Sequence, residues 1–146
     1  MKLIIQRVKN AAVRIEGKVV GEIGVGLLVL LGITQTDTRE NADALIRKLI
    51  NLRVFNDDMG RMNRSILDVR GSFLVVSQFT LYANTKKGNR PSFVDAAHPE
   101  HAIPLYEYFV ENLKIQSTLQ VDTGVFGAMM DVELTNSGPV SIVLEH

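Results

Sequence analysis

Residues 24–33, GVGLLVLLGI, contain no polar side chain. A membrane-spanning helix needs about 20 such residues, so this run is too short to cross a bilayer. Apolar at every position, it reads as a strand covered on both faces, the centre of a sheet. Its surroundings supply further strands. LIIQRV (3–8) precedes AAVRIEG (11–17), where Val13 and Ile15 alternate with Arg14 and Glu16. Gly17 marks a turn into KVVGEIG.

Two helices are signalled downstream. Asp37 is placed to cap the first, with Glu40 as its capping-box partner. Ala42, Leu45, Ile46, Leu49 and Ile50 then form one apolar stripe. The second helix is expected to begin near Pro99, a favoured first-turn residue. Ala102, Leu105, Tyr106, Phe109 and Leu113 make its inner face. Between the helices, FNDDMGRMN (55–63) reads as a turn around Gly60, and a strand is expected from about Ser72 to Leu81. The closing segment, 118–145, reads as strands joined by glycine turns. The order β-β-β-α-β-α-β-β implies an α+β fold with a largely antiparallel, barrel-like sheet and two packed helices.

The length, 146 residues, suits one domain spanning 1–146. A chain of that size buries roughly 70% of its unfolded surface and needs no staples. Cysteine is absent, which excludes disulfides and thiolate metal sites and is compatible with a reducing, cytoplasmic setting. MKLIIQRVKN has too short an apolar run for a secretory leader. Sixteen basic and sixteen acidic side chains balance, so any contact with nucleic acid must come from a local patch.

No nucleophile elbow, phosphate-binding loop or zinc-protease motif is present. His98 and His101 stand three apart near a helix start, without an evident third ligand, so no metal or cofactor is expected. Three other stretches carry chemistry-bearing groups. Ser77, Gln78, Phe79 and Thr80 follow an apolar strand. Either they are a frayed strand end bonding to local backbone, or they present amide, hydroxyl and backbone N–H groups to a carbonyl oxygen or ribose hydroxyl. In the second case alternation sends Ser77 and Phe79 to one face, Gln78 and Thr80 to the other. Phe79 then stacks on a base or packs an apolar wall. NTKKGNRPSF, with Lys86, Lys87 and Arg90, is a solvated loop or a set of phosphate contacts. NSGPVS (136–141) places a Gly-Pro dipeptide between strand patterns.

Together these stretches resemble the D-aminoacyl-tRNA deacylase family over nearly the whole chain. The likeness rests on IQRV, GEIGVGLLVLLGI, LRVFNDDMGRMNRSILDV, FLVVSQFTLYA, KKGNRPSF, LYEYFVENL and TGVFGAMMDVELTNSGPVS, in that order. The resemblance implies an enzyme that cleaves the ester between a D-amino acid and the 3′ end of tRNA. It implies a homodimer whose cis Gly138-Pro139 bond enters the partner's pocket. The implied site joins Ser77, Gln78, Phe79 and Thr80 of one chain to Gly138 and Pro139 of the other. Arg7 would hold the Gly-Pro turn, Phe126 and Met130 would line the pocket, and Ala102 would border it. Two positions depart from the family pattern: Ser141 replaces a usual threonine, and Met129 stands where an acidic residue is common. Serine keeps the hydroxyl, so the turn is expected to survive. A small-molecule esterase or amidase, a non-catalytic dimeric RNA-binding module, and editing of glycine on tRNA(Ala) all remain open on sequence.

Overall fold

The strand expected at 24–33 is the middle of the sheet in the computed structural model, which describes residues 1–146. β1 (Lys2–Ile15) turns back at Glu16 and Gly17, both at positive φ, into β2 (Lys18–Ile23) and β3 (Gly26–Gly32). β3 pairs with the first half of β1 and β2 with its second half, both antiparallel. β8 (Asp131–Glu145) runs antiparallel along the other edge of β1. β6 (Ser72–Ser77) lies parallel to β3, and β7 (Val121–Thr123) parallel to β6. Parallel neighbours need long crossovers. Helices α1 (Arg39–Asn51) and α2 (Pro99–Ser117) supply them, one before β6 and one before β7. The sheet is therefore mixed, with antiparallel pairing predominant.

The sheet curls until its ends nearly meet. The Glu22 N–H donates to Asp122 Oδ2 at 3.0 Å, and Gln120 Nε2 donates to the Glu22 carbonyl at 3.4 Å. A Cβ on Gly21 would stand 2.5 Å from the Thr123 carbonyl, so β2 passes close over β7 only because it has glycine there. The result is a barrel-like sheet closed on one side by side-chain bonds.

Alternation along the central strands divides the core. Leu27, Val29 and Leu31 of β3 and Phe73 and Val75 of β6 face the helices, where they meet Ile46, Leu49, Phe109 and Leu113. Leu28, Leu74 and Val76 point the other way, onto Val8, Val13 and Ile23. Both faces of β3 are thus buried, as its composition requires. All five residues of each helical stripe read from the sequence are buried. Each fully buried large side chain contributes roughly 1.5–3 kcal/mol.

Three local expectations change. The strand through 72–81 stops at Ser77, and Phe79–Tyr82 form a single 3-10 turn. The N-cap of α1 is Thr38, whose N–H donates to Asn41 Oδ1 at 2.8 Å, rather than Asp37 with Glu40. Asp37 is buried instead, accepting from the Met1 amino group and from the Thr34 N–H at 2.8 Å. The turn expected around Gly60 is present, as the tip of a small hairpin, β4 (Phe55–Asn56) with β5 (Met62–Arg64). Finally, β8 continues through the Gly-Pro dipeptide as one strand instead of breaking into two.

Two expected outcomes follow from this packing. A Cβ on Gly26 would lie 1.9 Å from the Ser72 carbonyl oxygen, so Gly26→Ala must push β3 and β6 apart. We expect a loss of about 3 kcal/mol, read as a shift in the urea midpoint. An unchanged midpoint would mean that this contact does not set the strand spacing. Tyr106 donates to the Val75 carbonyl at 2.9 Å, and burial pushes its phenol up from 10.0 to about 12. Its contribution is whole below the unfolded value near 10 and is lost as pH rises toward 12. Tyr106→Phe should therefore cost about 1 kcal/mol at pH 7, and its stability should fall less steeply than the parent's between pH 10 and 12. Parallel stability–pH curves would contradict the assignment.

Candidate active site

The carboxyl ends of two parallel strands make a natural mouth for a ligand, because the connections diverge there. β3 and β6 end side by side, with Leu31 paired to Ser77. Above them is a cavity of about 420 Å³. Leu31, Ile33 and Val76 form its floor, Ala102 of α2 one wall, and residues 126–130 with Val132 the other. Ser77, Gln78, Phe79 and Thr80 stand at its edge. The structure thus brings together seven of the residues singled out in the sequence: these four with Ala102, Phe126 and Met130.

Local geometry explains their placement. The Gln78 N–H donates to the Leu31 carbonyl at 2.8 Å, the last rung before the chain turns. The first bond of the 3-10 turn runs from the Leu81 N–H to the Gln78 carbonyl. The Phe79 and Thr80 N–H groups therefore precede the turn's own bonds. Gln78 Nε2 donates to Thr80 Oγ1, so the two polar side chains lie together, as expected of that pair. All four residues 77–80 nonetheless border the one cavity instead of dividing between two faces, because the turn that begins at Phe79 replaces the strand's two-residue period.

The walls are set by close packing. Phe126 meets the Tyr106 ring edge-on, with centroids 5.7 Å apart. A Cβ on Gly124 would be 2.4 Å from Met130 Sδ, so glycine there is what lets Met130 lie inward. Ala102 is buried at the first turn of α2, where a larger side chain would fill the cavity. Met129 is 91% exposed at the rim, so packing within this chain does not constrain its side chain. None of the fifteen lining side chains is acidic, basic or a histidine.

Arg7, Gly138 and Pro139 are not among the lining residues. They form a second cluster. In the pairing of β1 with β8, Gln6 faces Ser141 and Val8 faces Asn136, so residues 137–140 bulge out opposite Arg7. The Gly138-Pro139 bond at the tip is cis, and both residues are exposed. Arg7 is buried beneath, donating from Nε to the Ser137 carbonyl at 2.9 Å. Its Nη1 donates to the Val54 carbonyl at 2.6 Å and to Asn56 Oδ1 at 3.0 Å. Asn136 clamps the far side. Its Oδ1 accepts from the Val140 N–H at 2.8 Å, and its Nδ2 donates to Gln6 Oε1 at 2.7 Å. Nδ2 also lies 3.3 Å from Ser141 Oγ, so serine supplies the hydroxyl contact without threonine's methyl.

Lys86, Lys87 and Arg90 lie on an exposed loop closed by paired backbone bonds between Asn84 and Ser92, at 2.7 and 2.9 Å. Phe93, next after that closure, packs against Phe79 at the cavity rim. His98 and His101 face a separate polar hollow with Gln35, Pro99 and Glu100, and His101 Nε2 lies 2.9 Å from the Asp37 carbonyl. No helix is long and apolar enough to cross a membrane.

Sequence reasoning did not single out Leu31, Ile33, Ala97 or Val132 as cavity residues, since apolar residues look alike whether they face a core or a pocket. Gln6 and Phe93 were likewise not singled out.

Known proteins match this chain over its whole length. The model of the family described as D-Tyr-tRNA(Tyr) deacylase matches residues 4–145. A protein of Bacillus velezensis named D-aminoacyl-tRNA deacylase is 53% identical over 145 residues, covering 99% of this chain and 98% of that protein. One of the same name from Aquifex aeolicus is 53% identical, covering 99% and 97%. Among solved structures, one named c-Myc DNA Unwinding Element Binding Protein superposes with a TM-score of 0.94 at 42% identity, covering 100% of this chain and 99% of that one. A probable eukaryotic D-amino acid tRNA deacylase superposes at 0.87 with 14% identity, covering 99% and 98%, and shares the fold.

Proposed function

The chain belongs to the D-Tyr-tRNA(Tyr) deacylase family, and on that premise we propose that it hydrolyses the ester bond of D-aminoacyl-tRNA, releasing free D-amino acid and tRNA. The observation that carries the mechanism is the absence of any acid, base or histidine from the cavity wall. An aminoacyl ester is already activated, so the chemistry needs orientation and an oxyanion site more than proton transfer by a side chain. Gln78, Thr80 and the N–H groups of Phe79 and Thr80 are neutral donors suited to that task. Water adds to the ester carbonyl carbon and the bond to the ribose 3′ oxygen breaks. That oxygen takes up a proton as the carboxyl group loses one. The neighbouring 2′-hydroxyl of the terminal ribose assists in moving the proton. Ser77, Gln78, Phe79 and Thr80 orient the ester, while Phe126, Met130 and Ala102 bound the space it occupies.

Chirality requires a different device. The Gly138-Pro139 turn is exposed, is not part of its own chain's cavity wall, and is held from beneath by Arg7. In our reading two copies assemble so that each turn closes the other's cavity. Carbonyl groups of the turn then accept from the substrate's α-amino group, leaving no space for an L side chain. Selection by exclusion at one carbon tolerates many D side chains and admits glycine. The loop bearing Lys86, Lys87 and Arg90 meets backbone phosphates of the tRNA, in the cytoplasm where charged tRNA is found.

The first test is matched hydrolysis of D-Tyr-tRNA and L-Tyr-tRNA with a metal chelator present. Release from the D ester should be at least about 100-fold faster, with D-Phe-tRNA and D-Asp-tRNA also cleaved. Equal rates for the two enantiomers point to a general esterase, and activity confined to one side chain contradicts exclusion at Cα. The second test is Thr80→Ala. Without a covalent role for Thr80, kcat should stay within about ten-fold of the parent. Loss of an obligatory nucleophile would cost roughly 10⁴-fold or more.

A further inference from the structure

We propose that Phe93, together with the open part of the Phe79 ring, forms a stacking subsite for the unpaired nucleotide immediately 5′ to the esterified terminal nucleoside. This rests on the tRNA-ester reading above. Phe79 is 57% exposed and Phe93 39%, in a molecule that buries Phe73 and Phe109 completely. Their rings meet edge to face, with centroids 5.0 Å apart and planes at 73°. That contact uses the edge of one ring and one face of the other, so each ring keeps a face for a further partner.

Phe93 is held firmly in this exposed position. On one side the Asn84–Ser92 backbone pair closes the basic loop. On the other, Thr34 Oγ1 donates to the Asp95 carbonyl at 2.5 Å, and the Ala97 N–H donates to the Ile33 carbonyl at 2.9 Å. A ring anchored from both flanks yet left in water is a surface prepared for contact.

Charge identifies the occupant. Residues 83–94, ANTKKGNRPSFV, carry three cations and no carboxylate. Lys86, Lys87 and Arg90 are all exposed and enter no ion pair. A local charge of this sign, on a chain of zero net charge, calls for an anionic partner. Aromatic faces beside backbone-tracking cations are the pattern that binds single-stranded nucleic acid. Position orders the contacts. Phe79 lines the cavity and Phe93 lies beyond it, so a strand leaving the cavity meets Phe93 next and the cations after it.

The test compares a 2′(3′)-O-D-tyrosyl adenosine with the D-tyrosyl ester of a CCA trinucleotide. Phe93→Leu should raise KM about ten-fold for the trinucleotide, with kcat and the adenosine ester unaffected. Phe93→Tyr, which keeps the ring, should restore the parent KM. An equal KM rise for both esters would assign Phe93 to the terminal-nucleoside pocket, and no rise for either would mean that no subsite exists. A Phe93→Leu protein that sediments as a smaller species would assign the ring to contact with a second copy. Each of these three results overturns the proposal. Calorimetric binding of uncharged CCA and adenosine keeps the inference separable from the catalytic reading. If the parent cleaves neither ester, that reading fails. The subsite then stands only if the parent binds CCA more tightly than adenosine and Phe93→Leu abolishes the difference.

Discussion

β3 has side chains that must be dry on both faces, with Leu27, Val29 and Leu31 turned to the helices and Leu28 to the opposite side. Covering two faces of one strand takes two layers. The helices supply one. The other is the sheet itself, bent so that β1, β2 and β8 curl over Leu28, Leu74 and Val76. Bending brings β2 within reach of β7, and Gly21 is the position where their backbones pass. The barrel-like form is thus a consequence of burying β3. It also fixes where a cavity can exist, since the curled layer and the helices separate at the carboxyl ends of β3 and β6. The cavity that opens there is mostly apolar, with Ser77, Gln78 and Thr80 as its polar side chains.

Arg7 shows how a charge can be held inside this structure without an ion pair. Its guanidinium is surrounded by the carbonyls of Ser137 and Val54 and the amide oxygen of Asn56. A buried cation without such acceptors would be costly. Here the carbonyls of a bulged strand provide them, and the bulge exists because four residues of β8 are accommodated opposite one of β1. Charge and bulge stabilise each other. Removing the arginine would leave a buried carbonyl at Val54 without its donor, and removing the bulge would take the Ser137 carbonyl away. The position of the Gly-Pro turn is therefore tied to β1, the strand that pairs with three others.

The sequence disclosed periodic features and hid discontinuous ones. The stripes Ala42 to Ile50 and Ala102 to Leu113 were legible because burial on a helix repeats every three or four residues. The central strand was legible because it is apolar throughout. The end of β6 was not, since Phe79 and Leu81 continue a pattern that a strand would also show, while the 3-10 turn depends on the tertiary position of the Leu31 carbonyl. Asp37 has every local qualification for a helix cap. It was recruited elsewhere by the Met1 amino group, 36 residues away, and Thr38 took the cap. The Gly-Pro bulge was visible as a motif, but the dependence of its shape on Arg7 and Gln6 spans 130 positions and leaves no local trace. Resemblance supplied Arg7; nothing in its neighbourhood marks it as different from any arginine on a strand.

The neutrality of the cavity connects these points to the chemistry. An acidic or basic side chain at the ends of β3 and β6 would face Leu31, Ile33 and Val76, a wall that offers no compensating partner. Amide and hydroxyl groups can bond to each other there, as Gln78 and Thr80 do, and still leave acceptor and donor capacity for a ligand. A site of this kind handles a substrate that brings its own reactivity. In the proposed mechanism it gains selectivity from shape, since neutral donors distinguish poorly between amino acids and a backbone turn would distinguish only by the space it denies. Under the proposed mechanism, broad tolerance of side chains and strict choice at Cα arise from the same fact: the parts of the protein nearest the reacting ester are main chain and uncharged groups, which are sensitive to geometry and indifferent to side-chain identity.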